Sequence, residues 1–474
     1  MPELPNVLLF LTDDHGAWAT GCYGNAEVRS PRIDGLAEDG VRFDRAFTPS
    51  PVCSPARASL LTGRTPSQVG IHDWLQEAEP EIADRDWLDG EATLPELLSE
   101  AGYHCALAGK WHLGRSHEVP RGFDRCFGLP GGQGTHDGEY TYHLDGDPVT
   151  LTGNKTRIIT DHALRFLDEA PADRPFFLTV GYIATHSPWA GQDPELVALY
   201  DDATWADVWR PGRHPWAKDE GFASGEASAA ERTEAADRER WANYYAAVTD
   251  IDRGVGRVVD RLAALGRLDD TLVIYTSDHG LTLGQHGFWG KGNSTRPLSM
   301  YDTSLRVPLL VRPPHAPEGR RVDACVDHYD TFATICDYAG IVPDPGRACP
   351  GRTFRPAIEG RADEAWDDTR YGEYGDLRMI RTPRWKLVCR YGHGPDELFD
   401  LVADPREEHD VIGRAGNAAV VADLRRRLDA FYAVHRRPEA DGLRVASLPR
   451  HNGAEAWRDG IRETRFPQAA QPLG

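Results

Sequence analysis

Short, uninterrupted apolar runs alternate along the chain with segments in which apolar residues recur every three or four positions. Three such runs lie at residues 7–11, 176–180 and 272–276. Runs of this length are typical of parallel strands that are buried on both faces of a sheet. Helical spacing predicts helices over residues 94–101, 158–167, about 238–265 and about 418–434.

This alternation of strands and helices predicts an α/β fold, a sandwich with a large mixed, mostly parallel central sheet flanked by helices. Residues 345–368 are rich in proline, glycine, arginine and acidic residues, which predicts a linker. Beyond it, strand-like segments at 379–388 and 397–401 indicate a small antiparallel sheet. We therefore expect a catalytic domain over 1–360 and an α+β C-terminal subdomain over 361–474, with an extended or partly disordered tail after Arg436.

Acidic residues follow two of the three predicted strands at the point where each strand ends. Asp13 and Asp14 come directly after the first strand, and Asp278 and His279 come after the third. Ligands of open α/β sheets bind at the carboxyl ends of the strands, so the two clusters could meet there. Carboxylate oxygens from separate strand ends are suited to hold a divalent cation. A polar turn after a strand is the structural alternative for either pair taken alone.

Cys53 begins the segment Cys-Ser-Pro-Ala-Arg, which is followed by an alanine-rich helical stretch. The thiol therefore lies near a helix N-terminus, where the helix dipole favours an anion. A cysteine in this position would be an activated thiolate or a group made from one. The alternative is a buried structural cysteine.

The spacing of Cys53, Pro55 and Arg57 resembles the modification sequence Cys-x-Pro-x-Arg of the sulfatase family, and the following Leu-Thr-Gly-Arg extends the match. The resemblance covers residues 6 to about 410 and implies an alkaline phosphatase-like fold. It implies that Cys53 is oxidised to formylglycine (3-oxoalanine) and hydrated to a diol. One diol oxygen would then attack sulfur, and the other would expel sulfate when it loses its proton.

The resemblance also implies a metal site and its ligands. The positions that match the family's metal ligands are Asp13, Asp14, Cys53, Asp278 and His279. Many family members have Asn where this chain has His279, whereas phosphonate monoester and diester hydrolases have His. We expect Ca²⁺, and the imidazole nitrogen leaves Mn²⁺, Mg²⁺ or Zn²⁺ open.

The remaining catalytic candidates are Arg57, Lys110, His112, His186 and Lys291. By resemblance, Lys110 and His186 contact the sulfate, His112 transfers a proton during sulfate release, and Lys291 lies at the leaving-group oxygen. Lys110 and His112 stand two residues apart, so on an extended segment they would face the same side.

The lysine content adds independent weight to two of these assignments. Lysine occurs at only five positions among 53 basic residues, and Lys110 and Lys291 are two of the five. We interpret a third, Lys386, as structural, because it lies in a segment that resembles the C-terminal subdomain of the family.

Composition limits the compartment and the partners. The chain of 474 residues has 53 basic and 74 acidic side chains, a net charge of −21 that disfavours nucleic acid and anionic membranes. No apolar run approaches the roughly 18 residues of a membrane span, and the first residues lack a basic signal-peptide region. Eight scattered cysteines without a CxxC pair predict a reduced, cytoplasmic protein.

The sequence thus predicts a sulfuric ester hydrolase that acts on a small, anionic sulfate ester of an organic or sugar substrate. The alternatives are a phosphonate monoester or phosphodiester hydrolase of the same superfamily, and a silent binding protein whose Cys53 is never converted. A formylglycine-generating or anaerobic maturation enzyme is the expected partner during biosynthesis, and a homo-oligomer is possible.

Four loops are expected to frame the pocket: 72–74, 131–147, 187–238 and 284–296. Aromatic residues interleaved with Asp and His in the second loop suit a sugar ring, although such a composition is equally ordinary for a solvated loop. Three tryptophans of the third loop, Trp205, Trp209 and Trp216, could form a lid, an oligomer contact or surface packing.

Overall fold

A ten-stranded sheet forms the centre of the protein in the computed structural model, which describes residues 4–131, 134–218, 233–316, 319–361, 363 and 365–458. In these residues the strand order of that sheet is β12-β2-β11-β8-β1-β7-β3-β4-β5-β6. The strands are β1 Asn6–Thr12, β2 Val41–Phe47, β3 His104–Gly109, β4 Arg125–Gly128, β5 Asp137–Leu144, β6 Asp147–Asn154, β7 Phe176–Gly181, β8 Thr271–Ser277, β9 Thr282–Leu283, β10 Trp289–Gly290, β11 Leu309–Arg312, β12 Arg320–Asp327, β13 Arg370–Tyr374, β14 Leu377–Arg381, β15 Trp385–Arg390 and β16 Glu397–Asp400.

Helices cover both faces of the sheet. Two long helices lie side by side on one face, and two shorter helices contact each other on the opposite face. The α-helices are α1 Pro31–Glu38, α2 Cys53–Thr62, α3 Pro66–Val69, α4 Pro80–Ala83, α5 Leu94–Glu100, α6 Lys155–Glu169, α7 Pro194–Val197, α8 Glu234–Ala264, α9 Asp302–Leu305, α10 His328–Tyr338, α11 Arg355–Ile358 and α12 Ala418–Val434. The two long helices are α6 and α8, and the two shorter ones are α2 and α10.

The middle of the sheet confirms the strands predicted from the apolar runs. β1 pairs in parallel with β7 on one side and with β8 on the other. Alternate residues of β1 enter the two opposite core layers: Leu9 packs with the layer of α2 and α10, and Leu8 with the layer of α6 and α8. Because both faces are covered, an apolar side chain is required at every position.

The edges of the sheet were not predicted in detail. β11 runs antiparallel to both β2 and β8, and β5 and β6 form an antiparallel hairpin at the opposite edge. Only the first strand of this hairpin, β5, lies wholly within the segment 131–147 that the sequence assigns to the pocket. Its Tyr142 is fully buried and stacks on Phe127 with ring centroids 5.0 Å apart. Part of that loop is therefore sheet rather than pocket wall.

The three tryptophans of the 187–238 segment pack against the protein. Trp205 is buried and lies 5.6 Å from Trp241 between ring centroids. The ring of Trp209 contacts His286, and that of Trp216 contacts His214. Of the three roles considered for them, packing is the one seen; residues 219–232 of this segment lie outside the described residues.

A second, antiparallel sheet of order β13-β14-β15-β16 packs under α12 and forms the C-terminal subdomain. The segment 345–368, predicted as a linker, contributes the buried Phe354 and Ile358 to the main core instead. Its proline and glycine content reflects a tightly turned path, with α11 in the middle, rather than a free connection.

The tail after Arg436 runs back over the catalytic domain. The backbone N–H of Arg437 donates to the Ser67 carbonyl over 2.9 Å, and the imidazole of His451 accepts from the backbone N–H of His72 over 3.1 Å. The extended wrap expected from the sequence is thus seen as far as residue 458; residues 459–474 lie outside the described part of the chain.

Two further sequence expectations concern the chain as a whole. All eight cysteines are free thiols. Within the described ranges, no helix combines the length and the apolar character that a bilayer crossing requires.

The central strands predict a clear stability contrast. Replacing Ile274, which is fully buried on β8, with alanine should lower the free energy of unfolding by about 2–5 kcal/mol, because a cavity remains in a close-packed core. The matched control is Val402→Ala, whose side chain is exposed and whose loss should change stability by less than about 0.5 kcal/mol. Urea unfolding followed by circular dichroism measures both, and equal effects would contradict the assignment of the core.

Candidate active site

The two acidic pairs predicted to meet do so at the carboxyl end of the sheet. β1 and β8 are neighbours with Thr12 opposite Ser277, so the residues that follow them emerge side by side. The backbone N–H of Asp14 donates to a carboxylate oxygen of Asp278 over 3.3 Å. Asp13, Asp14, Asp278 and His279 are all fully buried. Their proximity is a consequence of parallel strand register.

Cys53 lies at the first turn of α2, with its thiol in the centre of this cluster. The sulfur is 3.3 Å from Oδ1 of Asp13, 3.3 Å from Nε2 of His279 and 3.2 Å from Nζ of Lys291. The residue before it, Val52, has no side chain that could cap the helix. The N-terminal N–H groups of α2 are therefore available to a negatively charged group at this position.

Arg57 follows one helical turn after Cys53 and faces the same cluster. Its Nε donates to Oδ2 of Asp278 over 2.8 Å, and Nη1 donates to the carbonyl of Lys110 over 3.0 Å. The guanidinium is buried, so both contacts are screened little by water. Arg57 thus ties α2 to the ends of β8 and β3.

Two lysines complete the charge balance. Lys110, directly after β3, forms an ion pair with Asp13, and Lys291 forms one with Asp14 over 2.7 Å. With Arg57, three buried cations face three buried carboxylates. The two predicted catalytic lysines therefore occupy the predicted site.

The electrostatic potential differs between the two sides of the cluster. At Cys53, burial and Asp13 raise the thiol pKa, but Lys110 and Lys291 outweigh them and the net shift is downward. At His279, burial and Lys291 lower the pKa, but Asp278 and other anionic neighbours raise it to about 9. The sulfur thus lies where an anion is stabilised, and the imidazole lies where a cation is stabilised.

The pKa values of the two carboxyl groups that follow β1 shift in opposite directions. Burial raises the pKa of Asp14 to about 7, against the pull of Lys291. For Asp13 the attraction of Lys110, His186 and Arg57 exceeds the cost of burial, which holds its pKa well below the ordinary range.

Three observations show that a divalent cation fits this arrangement. Ligand atoms of Asp13, Cys53, Asp278 and His279 all lie within 4.8 Å of one another. Oδ2 of Asp14 is buried and has no hydrogen-bond partner among the described residues. Nδ1 of His279 contacts the Gly280 carbonyl over 2.8 Å, which leaves Nε2 directed at the cluster. Binding of the second ring nitrogen to a carbonyl is the usual way to orient a metal-ligating histidine.

The two other predicted histidines lie at the rim of the cluster. His112 is buried, and its Nε2 contacts the Leu75 carbonyl over 2.8 Å. Its φ is +62°, so the segment after Lys110 is not extended as the sequence predicts. His186 brings a ring nitrogen within 4.8 Å of ligand atoms of Asp13 and Asp14.

Three residues support the site through contacts that the sequence did not predict, although one of them, His136, lies in the segment 131–147 that was expected to frame the pocket. The hydroxyl of Tyr244, on α8, donates to the Asp14 carbonyl over 2.8 Å, and Thr185 donates to the same carbonyl over 3.0 Å. Nε2 of His136 contacts the His186 carbonyl over 2.8 Å. All three act on backbone carbonyls from distant parts of the chain, so no local pattern could reveal them.

The fold agrees with comparisons to known proteins. The family model "Sulfatase" matches residues 5–341, and a model of the C-terminal part of N-sulphoglucosamine sulphohydrolase matches residues 284–433. The chain is 28% identical to an N-acetylglucosamine-6-O-sulfatase of Bacteroides thetaiotaomicron, over 90% of this chain and 86% of that protein.

Two solved structures show the same architecture. One is a structure of a protein bound to its substrate, D-glucosamine-2-N,6-O-disulfate. It is 25% identical to this chain, with a TM-score of 0.77, and the match covers 91% of this chain and 98% of that one. The other is the phosphonate monoester hydrolase of Agrobacterium radiobacter, with 26% identity, a TM-score of 0.74, and coverage of 91% and 96%. Together with the family match over most of its length, these findings show that the chain belongs to the sulfatase family, with an alkaline phosphatase-like fold, and is a sulfuric ester hydrolase.

Proposed function

We propose that this enzyme hydrolyses a sulfate monoester of a small sugar, using a formylglycine made from Cys53 and a divalent cation, most simply Ca²⁺. The observation that carries the proposal is the position of the Cys53 sulfur, within 3.3 Å of Asp13, His279 and Lys291 at the start of α2. A structural cysteine would need none of these three charged neighbours.

The surroundings of Cys53 support a nucleophile at this position. When oxidised to formylglycine and hydrated, the residue supplies an oxygen that can attack sulfur and a second hydroxyl whose deprotonation releases sulfate. Lys291 and the N-terminus of α2 stabilise negative charge where that oxygen would develop it. Arg57 keeps α2 fixed to Asp278, so the attacking atom is held in one place.

The metal would be held by Asp13, Asp14, Asp278 and His279, with residue 53 beside them. A divalent cation there would neutralise sulfate charge and orient the nucleophile. The chain's own contribution is a dry, ordered ligand set: Thr185 and Tyr244 hold the backbone of Asp14, and Gly280 holds the ring of His279.

The remaining side chains divide between binding and proton transfer. Lys110 and His186 flank Asp13, from where we propose that they bind sulfate oxygens. His112 stays neutral because burial and Lys110 lower its pKa to about 4, so its ring is in the unprotonated form that accepting a proton during sulfate release requires. Lys291 is proposed to donate to the leaving-group oxygen.

The substrate class is inferred from the relatives and not from the loops of this chain. One relative is named as an N-acetylglucosamine-6-O-sulfatase, and one solved structure holds a sulfated glucosamine. We therefore propose a sulfated sugar as substrate and a maturation enzyme that modifies Cys53. The cytoplasmic location and a homo-oligomeric state stay predictions from the sequence.

Removing the thiol tests the nucleophile. Cys53→Ala should lower turnover of nitrophenyl sulfate by roughly a thousandfold or more, since no other group in the cluster can form the covalent bond to sulfur. The control is Cys336→Ala, a buried cysteine on α10, which should keep its kcat. Near-wild-type turnover in Cys53→Ala would refute the mechanism.

Mass spectrometry of the Cys53 peptide from the native host complements this test. We expect the mass of an aldehyde or its hydrate. A thiol mass would favour the silent binding protein, because the proposed nucleophile would then be missing.

The geometry of Lys291 leads to a second mutational prediction. Lys291→Arg keeps the charge, but a planar guanidinium cannot occupy the space between Asp14 and Cys53 that the compact ammonium fills. We expect kcat to fall about a hundredfold with a smaller change in KM. Lys218→Arg, a partly exposed lysine outside the cluster, is the matched control, and unchanged kinetics in Lys291→Arg would rule out a role at the leaving group.

His279 and the similarity to a phosphonate monoester hydrolase favour a second candidate reaction. Rates with nitrophenyl sulfate and nitrophenyl phenylphosphonate, measured on one modified preparation, separate the two. Because Lys110 and His112 match the sulfatase set, we expect the higher kcat/KM on the sulfate. A higher value on the phosphonate would reverse the order of the two proposals.

A further inference from the structure

A four-residue helix, α9, is hydrogen-bonded to two segments that adjoin the active site. The backbone N–H of Gly280, next to His279, donates to the Ser304 carbonyl over 2.9 Å. The backbone N–H of Thr48, on the loop that leads to Cys53, donates to the Leu305 carbonyl over 2.8 Å. One short helix therefore holds the backbone on both sides of the cluster.

The contact between α9 and Gly280 allows little movement. A β-carbon placed on Gly280 would lie 2.3 Å from the carbonyl oxygen of Thr303, so the two backbones touch. The Gly280 carbonyl in turn accepts the hydrogen bond from Nδ1 of His279. A shift of α9 would thus move Gly280 and turn the imidazole that faces the cluster.

The first residue of α9, Asp302, is held by the C-terminal subdomain. Nζ of Lys386 lies 2.8 Å from Oδ1 of Asp302, and Nε of Arg381 donates to Oδ2 over 3.1 Å. The carboxylate of Glu407 accepts the backbone N–H of Asp302 over 2.6 Å and lies 2.6 Å from Lys386. These four side chains, here named the Asp302 clamp, bring two cations and two anions together.

The buried charges of the Asp302 clamp cost free energy, and this cost indicates that the clamp does more than fill space. Lys386 and Glu407 are almost completely buried, and burying a charge costs several kcal/mol unless partners compensate. Apolar side chains would pack the same space at less risk to stability. Unlike apolar packing, a network of buried charges fixes the positions of its side chains, because each buried charge must keep its partners.

We propose that Lys386 and Glu407 are positioning residues that set the orientation of His279, and with it the affinity for a divalent cation, through Asp302 and α9. The inference rests on the metal site of the proposed function. It assigns the C-terminal subdomain a role in cation binding although, in the part of the chain that the structure describes, none of its His, Cys, Asp or Glu side chains belongs to the candidate metal cluster.

The test replaces one cation and one anion of the Asp302 clamp, so that no unpaired charge remains. The double variant Lys386→Met/Glu407→Gln keeps Asp302 paired with Arg381. Its control, Arg390→Met/Glu397→Gln, removes a similarly buried pair from the same subdomain, at 2.6 Å, whose other hydrogen bonds go to the carbonyls of Leu298 and Pro395. The Kd for Mn²⁺ is measured on both purified proteins by titration calorimetry and by electron paramagnetic resonance, with urea unfolding alongside.

We expect the clamp variant to bind Mn²⁺ about tenfold more weakly, as for other residues that orient metal ligands, and the control to keep the wild-type Kd at a comparable loss of stability. An unchanged Kd in the clamp variant, or an equal loss in the control, would overturn the inference while the metal site stands. If wild-type protein binds neither Mn²⁺ nor Ca²⁺ in the same titrations, the metal site of the proposed function fails and the inference fails with it. If it binds Ca²⁺ alone, the Kd for Ca²⁺ is compared between the variants with the same criteria. Should the double variant not fold, Glu407→Gln alone is measured against Glu397→Gln with the same criteria.

Discussion

Three carboxylates that converge at a buried point are the constraint on which this structure depends. Asp13, Asp14 and Asp278 are fully buried at the ends of neighbouring strands, and such a concentration of negative charge is stable only when cations are placed against it. Arg57, Lys110 and Lys291 supply them from three separate segments. The fold around the site can be understood as the framework that holds these six groups in contact.

Much of this framework could be predicted from the sequence because it follows from burial. A strand covered on both faces must be apolar throughout, so β1, β7 and β8 were visible as continuous runs. The position of the acidic pairs after two such strands suggested that they could meet, and the parallel register of β1 and β8 brings them together. The helix that starts at Cys53 was visible for a related reason, since its spacing and its proline mark an N-terminus.

The remainder depends on contacts between residues far apart in the chain, which leave no local pattern. The hairpin of β5 and β6 alternates between exposed and partly buried positions at a sheet edge, so its composition resembles that of a solvated loop. Tyr244 and His136 support the site through backbone carbonyls, which any residue can offer. The segment 345–368 packs through two buried and three partly buried apolar residues that are interspersed with polar ones, and its composition therefore suggested a linker.

The tail that crosses the catalytic domain contacts a loop that lies far from it in the sequence. The imidazole of His451 meets the backbone of His72 across 379 positions of sequence, and Asn452 donates to the Trp74 carbonyl in the same way. During synthesis the loop around residues 72–76 therefore leaves the ribosome well before its partners in the tail. It stays incomplete until the tail has emerged, so the folding of this part waits for contacts of very high sequence separation.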